Sequence, residues 1–426
     1  MTTSRHPILR FLAWAGGSIA ALALLAVAFV QLRWDAKVGR AAPHMVAPRD
    51  SATVARGEYI YKFGALCWSC HASGPADANA PPAGGVVFDL RTTGPGFGIW
   101  YSPNITPDTA TGIGGWSDGE IVQAIREGIR RDRTAMFPLM PIDWLSGISD
   151  DDALALVAYL RSVPPVAHKV PKQDPSFMAK ALFAFGVLRP NPAITTPVAS
   201  PPRGITAAYG KYVASNIALC MDCHTPRNLQ DGKFFLDSLG AGSTIDFGGS
   251  AGDPLVSYAR NITPDQGTGI GDWDEARFMQ AVTAGIRPDG SVLDPHMPYP
   301  WFKSLAADDL EAIYVYLKTL NPIRRPAMGT HYSAEFAAAQ GVDRGRLEFI
   351  GRCQACHGQN GRGAQPTQVK LADVVSSLGD RDLNEFIRGG AVNLKMPAFG
   401  QTLHDDEIAD LVSFLRSWEK RSRQSN

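Results

Sequence analysis

With 426 residues, 45% of them hydrophobic and 19% charged, the chain has the composition of a folded protein and not of a disordered or collagenous one. At about 150 residues per domain it is long enough for about three domains, each with a core. Lysine plus arginine (41) balances aspartate plus glutamate (41), so no overall basic field argues for nucleic acid, and 42 glycines with 31 prolines favour loops and short helices over extended sheet.

The first predicted element is Phe11 to Leu32, 22 residues without a charge, preceded by Arg5 and Arg10 and followed by Arg33, Lys37 and Arg40. About 20 apolar residues cross a bilayer, whereas a secretory signal has an apolar region of roughly 7–15, and no clean A-x-A site follows here. Residues 1–40 are therefore expected to be a retained single transmembrane anchor, with the remainder exported.

Beyond Ala41 the chain repeats itself. Asn104-Ile105-Thr106-Pro107-Asp108 recurs as Asn261-Ile262-Thr263-Pro264-Asp265, each followed by Thr-Gly-Ile-Gly and then by Trp116 or Trp273. Gly128 and Gly285, Met140-Pro141 and Met297-Pro298, and Trp144 and Trp301 continue the match at a constant offset of 157, which becomes 153 upstream at Gly57/Gly210 and Tyr59/Tyr212. Each copy ends in an apolar stripe of helical period: Ala153, Leu156, Val157, Leu160; then Leu310, Ile313, Tyr314, Leu317; and, in a shorter third copy, Ile408, Leu411, Val412, Leu415. Ser149 ahead of three aspartates marks a helix start, and Arg161 suits the far end of its dipole. The expected domains are 41–165, 204–322 and 343–421, with a Pro-rich linker at 166–203, a second linker at 323–342 and a tail at 422–426. Within the first linker, Phe177–Leu188 is apolar but too short to span. A helix packing two domains together is the plainer expectation; a partner-docking or membrane-surface patch is the sharper one.

All six cysteines fall in three copies of one motif: Cys67-Trp68-Ser69-Cys70-His71, Cys220-Met221-Asp222-Cys223-His224 and Cys353-Gln354-Ala355-Cys356-His357. C-x-x-C-H reads as covalent c-type haem attachment. On a helical turn the two thiols share a face and reach one porphyrin edge, and the adjacent histidine turns onto the iron. A thioredoxin-like site needs strand-rich flanks that are missing here. Structural zinc needs four ligands, and the pairs lie far apart. Exported chains tolerate disulfides, but no cysteine is left over to explain.

Methionine commonly supplies the sixth ligand in cytochromes c. Each copy has one Met-Pro step downstream of its histidine, Met140-Pro141, Met297-Pro298 and Met396-Pro397, and the proline biases the methionine to extended backbone. Met136 and His296 are competing donors near the first two steps. His44, His168, His331 and His404 read as surface or linker histidines. Asn104-Ile105-Thr106 and Asn261-Ile262-Thr263 match a glycosylation sequon. Their repetition points instead to a loop turning beside a haem edge, with Trp116 and Trp273 packing there. No Walker loop, nucleophile elbow or H-E-x-x-H is present.

The three C-x-x-C-H motifs, the paired NITPD…TGIG…W loops and the three Met-Pro steps together resemble the three-haem cytochrome c subunits of bacterial membrane dehydrogenases, those accompanying alcohol, gluconate, sorbitol and some aldehyde or nicotinate dehydrogenases. The resemblance covers roughly residues 50–420. It implies a mainly α chain of three tandem cytochrome c-like domains behind an N-terminal transmembrane helix, in the bacterial inner membrane with its haem domains in the periplasm. It implies three haem c groups, axial ligands His71, Met140, His224, Met297, His357 and Met396, and no catalysis by the chain alone. Electrons would come from a separate catalytic subunit of flavin, quinone or molybdenum type and pass to ubiquinone or a terminal oxidase. An independent membrane-anchored electron bridge is a second reading, and a haem peroxidase, which needs an open iron, is a third.

Overall fold

The computed structural model describes residues 7–73, 77–91, 96–228, 232–247, 255–291, 293–294, 296–326, 331–332, 341–353, 357, 371–391, 396, 398–400 and 403–424, and it is mainly helical. Helix Pro7–Arg33 opens the chain, and its Phe11–Arg33 portion is long and apolar enough to cross a membrane. Phe11, Trp14, Leu24 and Leu32 on it are exposed. Its end is packed: Phe29 meets Phe185 with ring centroids 5.4 Å apart, and just beyond the helix Lys180 lies over the Trp34 ring at 5.5 Å.

The apolar part of the first linker forms helix Phe177–Ala184, capped by Ser176. Instead of joining two copies, as the plainer expectation had it, this helix wedges the end of the N-terminal helix against the first copy. Phe183 reaches Phe137 at 6.4 Å, and Ser176 Oγ donates to Gly96 O at 2.7 Å. The preceding residues Asp174–Pro175 add a third antiparallel strand to Val87–Asp89 and Gly98–Tyr101, which fixes the linker's course. The segment after the N-terminal helix is lashed to the same copy. Val38 N donates to Arg133 O at 2.8 Å, Arg40 pairs with Glu127 at 2.9 Å and Ala47 N donates to Asp118 Oδ2 at 3.0 Å.

Each repeat begins with a leading helix, Ser51–Tyr59, Ala207–Tyr212 or Val342–Glu348, and ends with a closing helix, Asp150–Ser162, Ala307–Leu317 or Asp405–Gln424. The two cross at a glycine. A Cβ on Gly57 would stand 1.9 Å from Ala155 O, one on Gly210 1.8 Å from Ala312 O, and one on Gly345 1.9 Å from Asp410 O. Such backbone contact admits no side chain. Ser149 caps the first closing helix, its Oγ accepting from Asp152 N at 3.2 Å. Arg161 does more than meet the helix dipole: it crosses to Asp118 at 3.0 Å and donates to the Ile113 and Trp116 carbonyls.

Copies one and two bury one continuous core, which includes Ile60, Tyr61, Trp68, Leu156, Tyr209, Ile217, Met221 and Leu310. Phe349, Val375, Leu383, Ile387, Ile408 and Leu411 form a second cluster in the third copy. The junction of the first two copies is reciprocal. Tyr59 OH donates to Asp309 Oδ2 at 2.6 Å and accepts from Ala306 N at 3.0 Å. Tyr212 OH donates to Asp152 Oδ2 at 2.7 Å and accepts from Ser149 N at 3.1 Å. Tyr59 matches Tyr212 and Asp152 matches Asp309 in the repeat, so the same bond is made twice in opposite directions.

Candidate haem-attachment sites

The three motifs share a local device that composition did not announce. Each leading helix widens into a π-helical turn, Ile60–Gly64, Val213–Ile217 or Phe349–Cys353. In the first two copies a leucine with left-handed backbone, Leu66 (φ 49°) or Leu219 (φ 51°), then precedes the first cysteine. A bulky residue is strained there, and π-turns and such strain gather where a fold must aim functional groups. No glycine marks the position, so sequence carried no signal for it.

Helices Trp68–His71 and Cys220–His224 hold the paired cysteines and the histidine on one turn. Cys67, Cys70, Cys220 and Cys223 form no disulfide among the described residues. Burial pushes the Cys67, Cys220 and Cys223 thiols up to about 12, so they are protonated at neutral pH and unlike the low-pKa thiolates of disulfide exchange. Among the described residues no three His, Cys, Asp and Glu side chains gather as a bare metal ion would require.

Both histidines are held from behind. His71 Nδ1 is 3.1 Å from Pro103 O, and His224 Nδ1 is 2.6 Å from Arg260 O. A carbonyl can only accept, so Nδ1 carries the proton and Nε2 is left unprotonated, the tautomer a metal-bound imidazole takes when it is anchored through its other nitrogen. Burial lowers the pKa of both imidazoles, which keeps them neutral and able to ligate. Burial likewise brings His357 down to about 4. Its Nδ1 is buried without a partner among the described residues. Cys356 and Pro397 lie outside the described residues.

The NITPD loops exist to place those carbonyls. Asn104 Oδ1 accepts from Thr106 N and Oγ1 at 2.9 and 2.8 Å, and its Nδ2 donates to Thr111 Oγ1 and Val166 O. Asn261 repeats this with Thr263, Thr268 and Ile323. Both asparagines are buried with their amides spent, so neither sequon is a glycan acceptor. Trp116 and Trp273 pack partly buried on the shared core.

Downstream, the Met-Pro steps open one-turn helices, Ile142–Leu145 and Tyr299–Phe302. Met297 packs on the same core as Cys220, and Met396 on the same cluster as Cys353. Met140 and Met136 are half-buried and lie outside those contacts. The competing His296 is engaged at Nδ1 by Asp294 at 2.6 Å and by Ser257 at 3.1 Å. His44 and His404 are exposed, while His168 binds Ala83 O at 2.8 Å. The short helices also carry an aromatic across the junction: Trp301 meets Trp68 edge-on at 4.9 Å, and Trp144 meets Phe234 at 4.9 Å. Two free thiols, an imidazole with its Nε2 free and a methionine form the donor set that a c-type haem takes.

Comparison with known proteins points to c-type haem as well. Residues 54–164 match the cytochrome c family, and residues 340–415 match the family described as cytochrome c oxidase, cbb3-type, subunit III. The cytochrome c subunit of quinone alcohol dehydrogenase from Gluconacetobacter polyoxogenes is 30% identical over 88% of this chain and 82% of its own length. The gluconate 2-dehydrogenase cytochrome c subunit of Pantoea cypripedii is 29% identical over 87% of this chain and 86% of its own. A nicotinate dehydrogenase subunit from Pseudomonas putida is 30% identical over 95% of this chain, which spans only 33% of that longer protein. The chain therefore belongs to the cytochrome c subunits of bacterial membrane-bound dehydrogenases, as an electron carrier using c-type haem.

Proposed function

We propose that the chain carries three c-type haems and passes electrons from the catalytic subunit of a membrane-bound dehydrogenase to ubiquinone or a terminal oxidase. Cys67 and Cys70, Cys220 and Cys223, and Cys353 and Cys356 are the attachment points. His71, His224 and His357 would hold the irons together with Met140, Met297 and Met396. The observation that carries the reading is the matched histidine–carbonyl bond, His71 to Pro103 and His224 to Arg260, beside paired buried thiols.

A bound c-type haem supplies one-electron chemistry at an iron closed by two protein ligands. The chain's own residues do the rest. The carbonyls fix the imidazole tautomer and ring orientation, and the reciprocal Tyr59–Asp309 and Tyr212–Asp152 bonds hold the first two sites in one relation to each other. Trp68 and Trp301 join the motif of one copy to the Met-Pro segment of the next. The exposed apolar helix Pro7–Arg33, with residues 36–47 tied down on the first copy, supports a retained anchor in the inner membrane and domains 41–165, 204–322 and 343–421 on its periplasmic side.

Mild-detergent purification from native membranes tests this. A flavin, quinone or molybdenum subunit is expected to co-purify, and its substrate to reduce the haem bands. A chain recovered alone that still reduces an oxidase would replace the dehydrogenase reading with an independent bridge.

A further inference from the structure

We propose that Arg130 is the counter-ion for a carboxylate the polypeptide itself lacks, a propionate of the haem attached through Cys67, Cys70 and His71; the inference rests on the haem reading above. Three other arginines with little-exposed side chains come with an acid. Arg56 has Asp152 at 2.7 Å, Arg126 has Asp150 at 2.7 Å, and Arg161 has Asp118 at 3.0 Å. Arg130 has none. Its Nη1 donates to Ala135 O at 2.8 Å and to Thr134 Oγ1 at 3.4 Å, both neutral, and its Nε and Nη2 donors make no bond among the described residues. Asp132, the acid beside it in sequence, is spent on Thr134 N and Oγ1 at 3.0 and 2.7 Å and on Lys37 at 3.9 Å.

A half-buried guanidinium with no close acid is costly, and burial pulls the Arg130 pKa below its ordinary value against the weaker opposing pull of Asp132. The free edge of its fork has the geometry for a bidentate carboxylate. Placement agrees. Arg130 sits in a hairpin closed by Met136 N to Gly128 O at 2.8 Å, ten residues ahead of Met140 in the chain and on the segment that leads to it. Phe137 at its foot stacks on Trp100 at 4.3 Å, in the strand that leads to the Pro103 carbonyl behind His71. The hairpin that carries the arginine thus joins the segment leading to Met140 to the strand leading to Pro103. Arg287 repeats the hairpin, donating through N to Ser291 O at 2.8 Å and through Nη1 to Ser291 Oγ at 3.0 Å. It feels the charge of Arg260, whose carbonyl holds His224. The third copy departs: two residues after its capping glycine, Gly390, the sequence has Val392 in place of an arginine.

The test is spectroelectrochemistry of the full chain carrying R130Q, R130K or, as a control, R131Q at an exposed neighbour, with haem content measured first by intact mass. A cation near the porphyrin disfavours the oxidised iron, so its removal lowers the potential. R130Q should shift the oxidised-to-reduced ratio of one haem about tenfold toward oxidised at a fixed poise, about 59 mV for one electron. That shift should grow as pH rises and the released propionate ionises. R130K should restore most of it, and R131Q should leave all potentials unmoved. Fully loaded R130Q with native potentials and native pH dependence overturns the inference. If R130Q fails to load, R130K decides: loading with near-native potentials supports the charge role, and failure to load as well overturns it in favour of a folding role. Absence of haem from the unaltered chain would instead overturn the haem reading itself.

Discussion

Copies one and two meet through a tyrosine–aspartate bond made in both directions and bury one core between them, while Phe349, Val375, Leu383 and Leu411 of the third pack in a cluster of their own. The local parts are nevertheless the same three times: a glycine crossing, a π-turn and a C-x-x-C-H motif. What differs is which surface of the unit has been made apolar and given a buried carboxylate. Duplication here kept the local unit and specialised the outside of it, so that among the described residues the first two copies share a core and the third has its own.

The comparison can be broken most forcefully at Asp152. It accepts Arg56 at 2.7 and 2.9 Å and Tyr212 at 2.7 Å. Asp152→Ala strands a buried guanidinium and should destabilise the fused pair by about 3–5 kcal/mol in denaturant titration. The third copy's transition should stay in place; a matching shift there would show that the cores are not separate. Burial alone would raise the Asp152 carboxyl, but Arg56 and Tyr212 hold it below 3.8. Its contribution is therefore complete above about pH 4 and is lost as pH falls through the folded value. Asp152→Asn should flatten that acid limb for the pair alone.

Gly345→Ala tests the other side. Its new methyl meets the Asp410 carbonyl, and overpacking of this kind costs about 1–3 kcal/mol. The loss should be confined to the third copy, whereas Gly57→Ala and Gly210→Ala should each lower the whole pair. Tyr59→Phe takes one bond from Asp309 and leaves Ala306 N without its acceptor, about 1–3 kcal/mol. The smallest effect is at the ring contact. Trp301→Leu should cost about 0.5–1.5 kcal/mol beyond lost area, and it should slow electron exchange between the first two sites, readable by flash photolysis.

Much of the scaffold was legible because periodicity and duplication are local signals. The closing helices fell where Ala153, Leu156, Val157 and Leu160 placed their stripe, and Ser149 caps as its position suggested. The matched NITPD loops pointed correctly to repeated structure, but their task, offering the carbonyl of the residue just before the asparagine, resides in a backbone atom that no side chain advertises. Tyr59 and Tyr212 stood out as matched residues, yet that each reaches the opposite copy is a tertiary fact. The apolar run Phe177–Leu188 misled about its partner for the same reason: composition says a face must be covered, not by what. Leu66 and Leu219 were unreadable because strain at a non-glycine residue leaves no compositional trace.

Intact mass of the chain under denaturing conditions, after expression with a working haem-attachment apparatus, tests the central claim most directly. The account predicts the polypeptide plus three covalent haems, with peptide mapping placing one at each cysteine pair. A mass carrying two or fewer, or a colourless chain, would contradict it.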